Sequence, residues 1–241
     1  MSSAVCDALA AAAKELGAGT ARLKFGPPIT HVYNPLVYAW AAHEIYLRRY
    51  CARRKRVVFL GMNPGPFGMV QTGIPFGEIR AVLDWLEIAT DVGRPEREHP
   101  RRPVNGLGTV RSEVSGRRLW GLFAERFGSP KEFFREHAVV NYCPLAFVEA
   151  SGRNRTPDKL PGAERGPLFA LCDRHLRAVA AALQPDWLIG VGDFAAKRAE
   201  EIFPSGAPKV GRILHPSPAN PAANRDWPGV ATRQLEALGV W

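Results

Sequence analysis

Four short strand-length runs, three of them largely apolar, limit what this chain can fold into. Residues 56–62, 138–145, 187–191 and 209–214 are each about one strand long, and segments with helical apolar spacing lie between them. Short apolar runs bounded by Gly, Pro and polar residues read as buried strands. Strands alternating with helices build a parallel sheet covered on both faces. The expected fold is α/β, one domain over residues 1–241 around a central four-stranded parallel sheet with helices on both faces. Helices are expected at 3–16, 37–47, 78–89, 115–127, 131–136, 167–183, 195–202 and 229–238. The first, within residues 1–20, is expected to pack peripherally.

The run at 57–60 leads into a loop of unusual stiffness, residues 61–78. Gly65, Gly68, Gly73 and Gly77 permit close backbone approach or positive φ, while Pro64, Pro66 and Pro75 fix φ. Asn63 is the first polar side chain past the strand, and open α/β sheets bind ligands outside the carboxyl ends of their strands. Asn141 ends the second apolar run just before Pro144, and His215 ends the fourth. All carboxyl ends of a parallel sheet share one edge, so Asn63, Asn141 and His215 are expected to converge on one cleft. Gly190 within the third run and Gly192 just after it lack the third glycine of a dinucleotide fingerprint, and no phosphate-loop lysine motif occurs.

Composition narrows the partners. A formal charge of +9 over 241 residues favours a polyanion, since each neutralised phosphate releases counterions. The basic cluster Arg48, Arg49, Arg53, Arg54, Lys55 and Arg56 reads equally as a DNA contact or as a solvated helix end. No apolar run approaches the roughly 20 residues of a membrane helix, and no signal peptide opens the chain. A location in the cytoplasm of a bacterium or the nucleus of a eukaryote is expected. Cys6, Cys51, Cys143 and Cys172 form no CxxC pair, so reduced thiols are expected and neither a metal nor another cofactor.

Residues 61–69 (GMNPGPFGM), Gln71-Thr72-Gly73 and Pro75-Phe76-Gly77-Glu78 resemble one signature motif of the single-strand-selective monofunctional uracil-DNA glycosylases. His215-Pro216-Ser217-Pro218, with Asn220-Pro221 and Asn224, resembles the other. The resemblance extends to Tyr33-Asn34-Pro35, Asn141-Tyr142-Cys143-Pro144-Leu145 and Ser151-Gly152-Arg153-Asn154, and so covers roughly residues 30–238.

That resemblance implies hydrolysis of the N-glycosidic bond of uracil, and of 5-modified uracils such as 5-hydroxymethyluracil, in single- and double-stranded DNA. The base flips out and an abasic site remains. In the implied roles Asn63 positions the water and His215 donates to uracil O2. Asn141 reads the base edge, Phe76 stacks on the ring, Met62 shapes the pocket, and Gly65 leaves room at C5. Residues 216–227 form a wedge, with Pro216, Ser217, Pro218, Ala219, Asn220 and Arg225 at the DNA, and Arg153 and Arg155 on phosphates. The family commonly carries an arginine where this chain has Ala219. Neither motif contains a lysine, so a Schiff-base lyase step is not expected. A monomer acting on DNA is expected. The residues leave open a single-stranded nucleic-acid-binding module without chemistry, a nucleoside hydrolase, and a glycosylase preferring xanthine or hypoxanthine.

Overall fold

The computed structural model describes residues 3–241, and Met1 and Ser2 of the expected domain lie outside the described residues. In chain order, α1 (Ala4–Ala21), β1 (Ile29–Tyr33), α2 (Pro35–Tyr38) and α3 (Trp40–Tyr50) precede β2 (Val57–Gly61) and α4 (Met69–Thr72). Next come α5 (Val114–Phe127), α6 (Pro130–Glu136), β3 (His137–Asn141), β4 (Ala146–Glu149) and β5 (Asn154–Arg155). The chain ends with α7 (Gly162–Leu183), β6 (Trp187–Val191), α8 (Asp193–Ile202), β7 (Lys209–Ile213) and α9 (Pro221–Ala237).

The four expected strands form one parallel sheet in the order β3-β2-β6-β7. β2 is buried along its whole length, as a central strand covered on both faces must be. Its register pairs Gly61 with Asn141, which puts the ends of β2 and β3 side by side. Gly192 follows β6 at φ +95, and a Cβ there would lie 3.0 Å from the His215 Cβ. Gly190 likewise lets the start of α8 lie against the strand. The glycine pair therefore serves packing.

Several elements depart from expectation. The run 138–145 divides after Asn141. Tyr142 and Cys143 still donate to the carbonyls of Gly61 and Met62 at 2.9 Å, but Pro144 has no N–H to continue the ladder. The chain then enters a second sheet, antiparallel and three-stranded, in the order β1-β4-β5. The helix expected at 37–47 is two helices broken at Ala39, whose carbonyl and Cβ lie against the turn at Gly73.

Instead of a helix over 78–89 there is one π turn, Ala81–Trp85, ended by Glu87 at φ 52. That turn buries Val82 and Leu86 and sets Trp85 against Trp120 at a ring separation of 5.7 Å, so tertiary packing outweighs helical spacing. The last helix begins at Pro221 rather than 229, capped by the Asn220 side chain, and kinks at Asp226. Nor is α1 peripheral, since Leu9, Ala10, Ala13 and Leu16 belong to the main core. Among the described residues no helix is long and apolar enough to cross a membrane.

Candidate active site

At the carboxyl edge of the parallel sheet lies a cleft of about 360 Å³. It is lined by Met62, Asn63, Gly65, Phe76, Asn141 and His215, with Glu113, Ser115, Asn154, Thr156 and Ser217 among the others. The convergence expected from three separate strand ends is present in the fold.

The loop that delivers Asn63 is clamped by one side chain. Gln71 Nε2 donates to the carbonyls of Pro66 and Pro103, each at 3.0 Å, and its Oε1 accepts from the Asn105 amide and the Thr109 hydroxyl, each at 2.8 Å. One of these hydrogen bonds from a buried amide closes the loop on itself at Pro66, and the other three hold it against residues 103–109.

Each polar group in the cleft has a defined state. Asn63 Nδ2 donates to the Leu145 carbonyl at 3.1 Å, which leaves Oδ1 as the acceptor. His215 Nδ1 accepts the Ser217 amide at 3.1 Å, so the ring proton of the neutral form sits on Nε2. Burial lowers the His215 pKa and favours that neutral form. Asn141 Nδ2 has only the Met69 sulfur, at 3.2 Å, and its Oδ1 is buried without a partner. An unpaired buried amide oxygen costs about 1–3 kcal/mol, which a bound donor recovers.

Phe76 adopts φ 52, with its carbonyl accepting Trp120 Nε1 at 3.0 Å and its ring 6.4 Å from that of His215. A Cβ at Gly61 would lie 2.2 Å from Asn141 Oδ1 and 2.5 Å from the Phe76 ring. Gly61 thus lets the base-edge amide and the stacking face meet.

Several cleft residues were not foreseen, among them Ser115, Thr156 and Glu113. Glu113 immediately precedes α5 but makes no side-chain cap, and its carboxyl turns into the cleft. A Cβ at Gly65 would fall 1.6 Å from its Oε1, and one at Gly68 would fall 2.0 Å from its Oε2. The clearance expected at Gly65 is therefore filled by the Glu113 carboxyl. Burial, and then the charge of Glu78, push the Glu113 pKa up to about 7. A glutamate just before a helix reads in sequence as a cap, so no signal set it apart.

The expected wedge leaves β7 and is braced from α5. Arg118 donates to the Pro216 carbonyl at 2.8 Å and to Asn224 Oδ1 at 3.0 Å, and Asn224 Nδ2 returns to the Pro218 carbonyl. Pro218, Ala219 and Arg225 are exposed, and Arg153 is exposed on the 151–160 loop. The Arg155 guanidinium is engaged by Glu149 at 2.9 Å and by the Lys159 carbonyl, which draws it away from a free phosphate-contact role. The 48–56 basic cluster precedes β2, at the sheet edge opposite the cleft. Arg48, Arg54 and Arg56 pair with acids there, and Lys55 is buried against the Phe134 carbonyl. Arg102 and Arg111 instead stand over the Phe67 ring of the motif loop.

The family model of the uracil DNA glycosylase superfamily matches residues 48–235, which include the whole parallel sheet and the residues of this cleft, so the chain belongs to that superfamily. Within it, the chain belongs to the family of single-strand selective monofunctional uracil-DNA glycosylases. It is 47% identical over 227 residues to the Rattus norvegicus protein of that description, covering 93% of this chain and 82% of the rat protein. The Bos taurus relative is 47% identical over 221 residues, covering 91% of this chain and 81% of its own. The crystal structure of wild-type SMUG2 from Pedobacter heparinus shares the fold, with a TM-score of 0.66 at 17% identity, covering 95% of this chain and 97% of that one. The activity that goes with the family is hydrolysis of an N-glycosyl bond, without a lyase step.

Proposed function

We propose that the protein removes uracil and 5-modified uracils such as 5-hydroxymethyluracil from single- and double-stranded DNA, acting as a monomer on a flipped-out base and leaving an abasic site. The observation that carries this reading is the unpaired Asn141 Oδ1, facing the same cleft as Asn63, Phe76 and His215. That set offers an acceptor for uracil N3–H, a stacking face, a neutral donor for O2 and an acceptor for water. The curated relatives are described as acting on uracil in DNA.

The glycosidic bond is out of reach inside a duplex, so the base must leave the stack at a cost of a few kcal/mol, least for a single-stranded base. Stacking on Phe76 offsets roughly 1–3 kcal/mol of that cost. As the bond breaks, negative charge gathers on the uracil and positive charge on the sugar. His215 Nε2–H stabilises the charge on O2 as a neutral donor. Asn63 Oδ1 orients a water towards the sugar carbon; an amide cannot take its proton, so the proton leaves to another acceptor. The exposed Pro218-Ala219 tip enters the space the base has left. Arg153 lies on the phosphates.

The variants Asn63→Ala and His215→Ala test the roles. Each is expected to lower single-turnover base release by roughly 10²–10³-fold, with oligonucleotide affinity changed only a few-fold. Near wild-type turnover in both would remove the assignment.

A further inference from the structure

We propose that Glu113 is a specificity-determining residue, its buried carboxyl reading the substituent at C5 of the flipped base by accepting a hydrogen bond from a 5-hydroxymethyl group and refusing a 5-methyl group. The proposal rests on the function proposed above and names the residue that sets its substrate range.

The argument begins with the orientation of the base. If N3–H meets Asn141 Oδ1 and O2 meets His215, the ring edge turned away from His215 carries C5. With Gly65 at C5, the position that the family resemblance implies for it, the polar group at that edge is the Glu113 carboxyl, which occupies the space a Gly65 side chain would take. A 5-substituent therefore points at the one carboxyl that lines the cleft.

That carboxyl is held in place by the absence of side chains around it. Atoms at the Cβ positions of Gly65, Gly68 and Gly116 would all lie within 3.0 Å of a Glu113 carboxylate oxygen. Three glycines from two segments make a nest for one acid. Yet Glu113 Oε2 is buried without a hydrogen bond, and the residue leaves the amides of α5 uncapped. Capping would have satisfied it locally at no cost in burial. Among nearby titratable groups, Glu78 repels it and His215 lines the same cleft, and among the described residues no basic side chain forms an ion pair with it. An acid kept buried, uncapped and unpaired beside a binding cleft is poised for a polar ligand group.

The two 5-substituents then differ in kind. A 5-hydroxymethyl hydroxyl donates to the carboxyl and satisfies it. A 5-methyl group seals the carboxyl from water and offers nothing. A site built to hydrogen-bond a hydroxyl discriminates strongly against an analogue that lacks it. Uracil, with hydrogen at C5, sets no group against the carboxyl and leaves it as it stands in the free protein.

The test reads ratios, so it does not depend on the fraction of folded protein. Single-stranded oligonucleotides of different length, carrying uracil, 5-hydroxymethyluracil or thymine, compete in one reaction with wild type, Glu113→Gln and Glu113→Met. Gln keeps the shape and an acceptor, so its 5-hydroxymethyluracil-to-uracil ratio is expected within about threefold of wild type. Met removes the acceptor and is expected to lower that ratio at least tenfold, about 1.4 kcal/mol, while raising thymine release relative to uracil. Uracil release with both ratios unchanged in Glu113→Met overturns the inference. Failure of the wild type to release uracil overturns instead the function on which it rests. Should Glu113→Met release no base, the same comparison is made on the affinities of free 5-hydroxymethyluracil and free uracil, with equal loss of both contradicting the inference.

Discussion

Asn63, Asn141 and His215 were visible in the sequence for one physical reason: each is a polar residue ending an apolar run, where a buried strand gives way to a loop. Burial without a partner is costly, so such residues are retained where a ligand or a neighbour satisfies them. Their states were not visible. The tautomer of His215 depends on the Ser217 amide, two residues on in a turn whose geometry no periodicity encodes. Glu113 was hidden because its surroundings pair its own neighbour Gly116 with Gly65 and Gly68 of a loop about 45 residues earlier. Asn141→Asp is expected to lower the preference for uracil over cytosine at least tenfold in competitive cleavage. A carboxylate has no donor for O4 and accepts readily from the exocyclic amine of cytosine.

Glu113 also sets a pH dependence of stability. Its carboxyl holds its proton to about pH 7 in the folded chain, against an ordinary value of 4.5. Between those values the folded state binds more protons than the unfolded state, so stability falls as pH rises and the full cost is present above about pH 7. Glu113→Gln lacks this term. Relative to wild type it is expected to gain stability between pH 5 and pH 8, by up to about 3 kcal/mol, measured by urea unfolding. A constant difference across that range would show that the acid is not held protonated.

Among the elements, β2, β3 and β6 were legible because each is a largely apolar, buried run, whereas β7 is an edge strand with Lys209 and Arg212 exposed and was marked by its bounding turns. The antiparallel sheet was not legible. β5 is two residues long, and the pairing of β1 with β4 shifts register between Ile29 and His31, so no clean alternation marks either. The π turn at Ala81–Trp85 was read as a helix because its apolar spacing is helical, and the ring contacts of Trp85 decide otherwise. In the proposed function, residues 216–227 act as the wedge. Its shape depends on Arg118, which α5 extends to Pro216 and Asn224. Arg118→Ala is expected to lower the rate on duplex substrate several-fold more than on single strand, because only the duplex must be pried open. An unchanged ratio of the two rates would show that the bracing has no part in DNA entry.

For the whole molecule, one architectural fact turns local chemistry into a site: all four strands of the central sheet run parallel and discharge their ends on one edge. The chain separates Asn63 from His215 by more than half its length, and the fold returns them to a single cleft. The charge of +9 suits a polyanion, although the densest basic cluster lies at the opposite edge and is largely spent on internal pairs. In the proposed function DNA meets the cleft side, and Arg102 and Arg111 stand over the Phe67 ring of the loop that delivers Asn63. The most direct measurement is incubation of the full chain with a single-stranded oligonucleotide carrying one uracil, followed by hot alkali. The account predicts release of free uracil and alkali-dependent cleavage at that position, with no cleavage before alkali and none in Asn63→Ala over the same time. An intact strand after alkali would contradict it, and cleavage without alkali would contradict the monofunctional reaction.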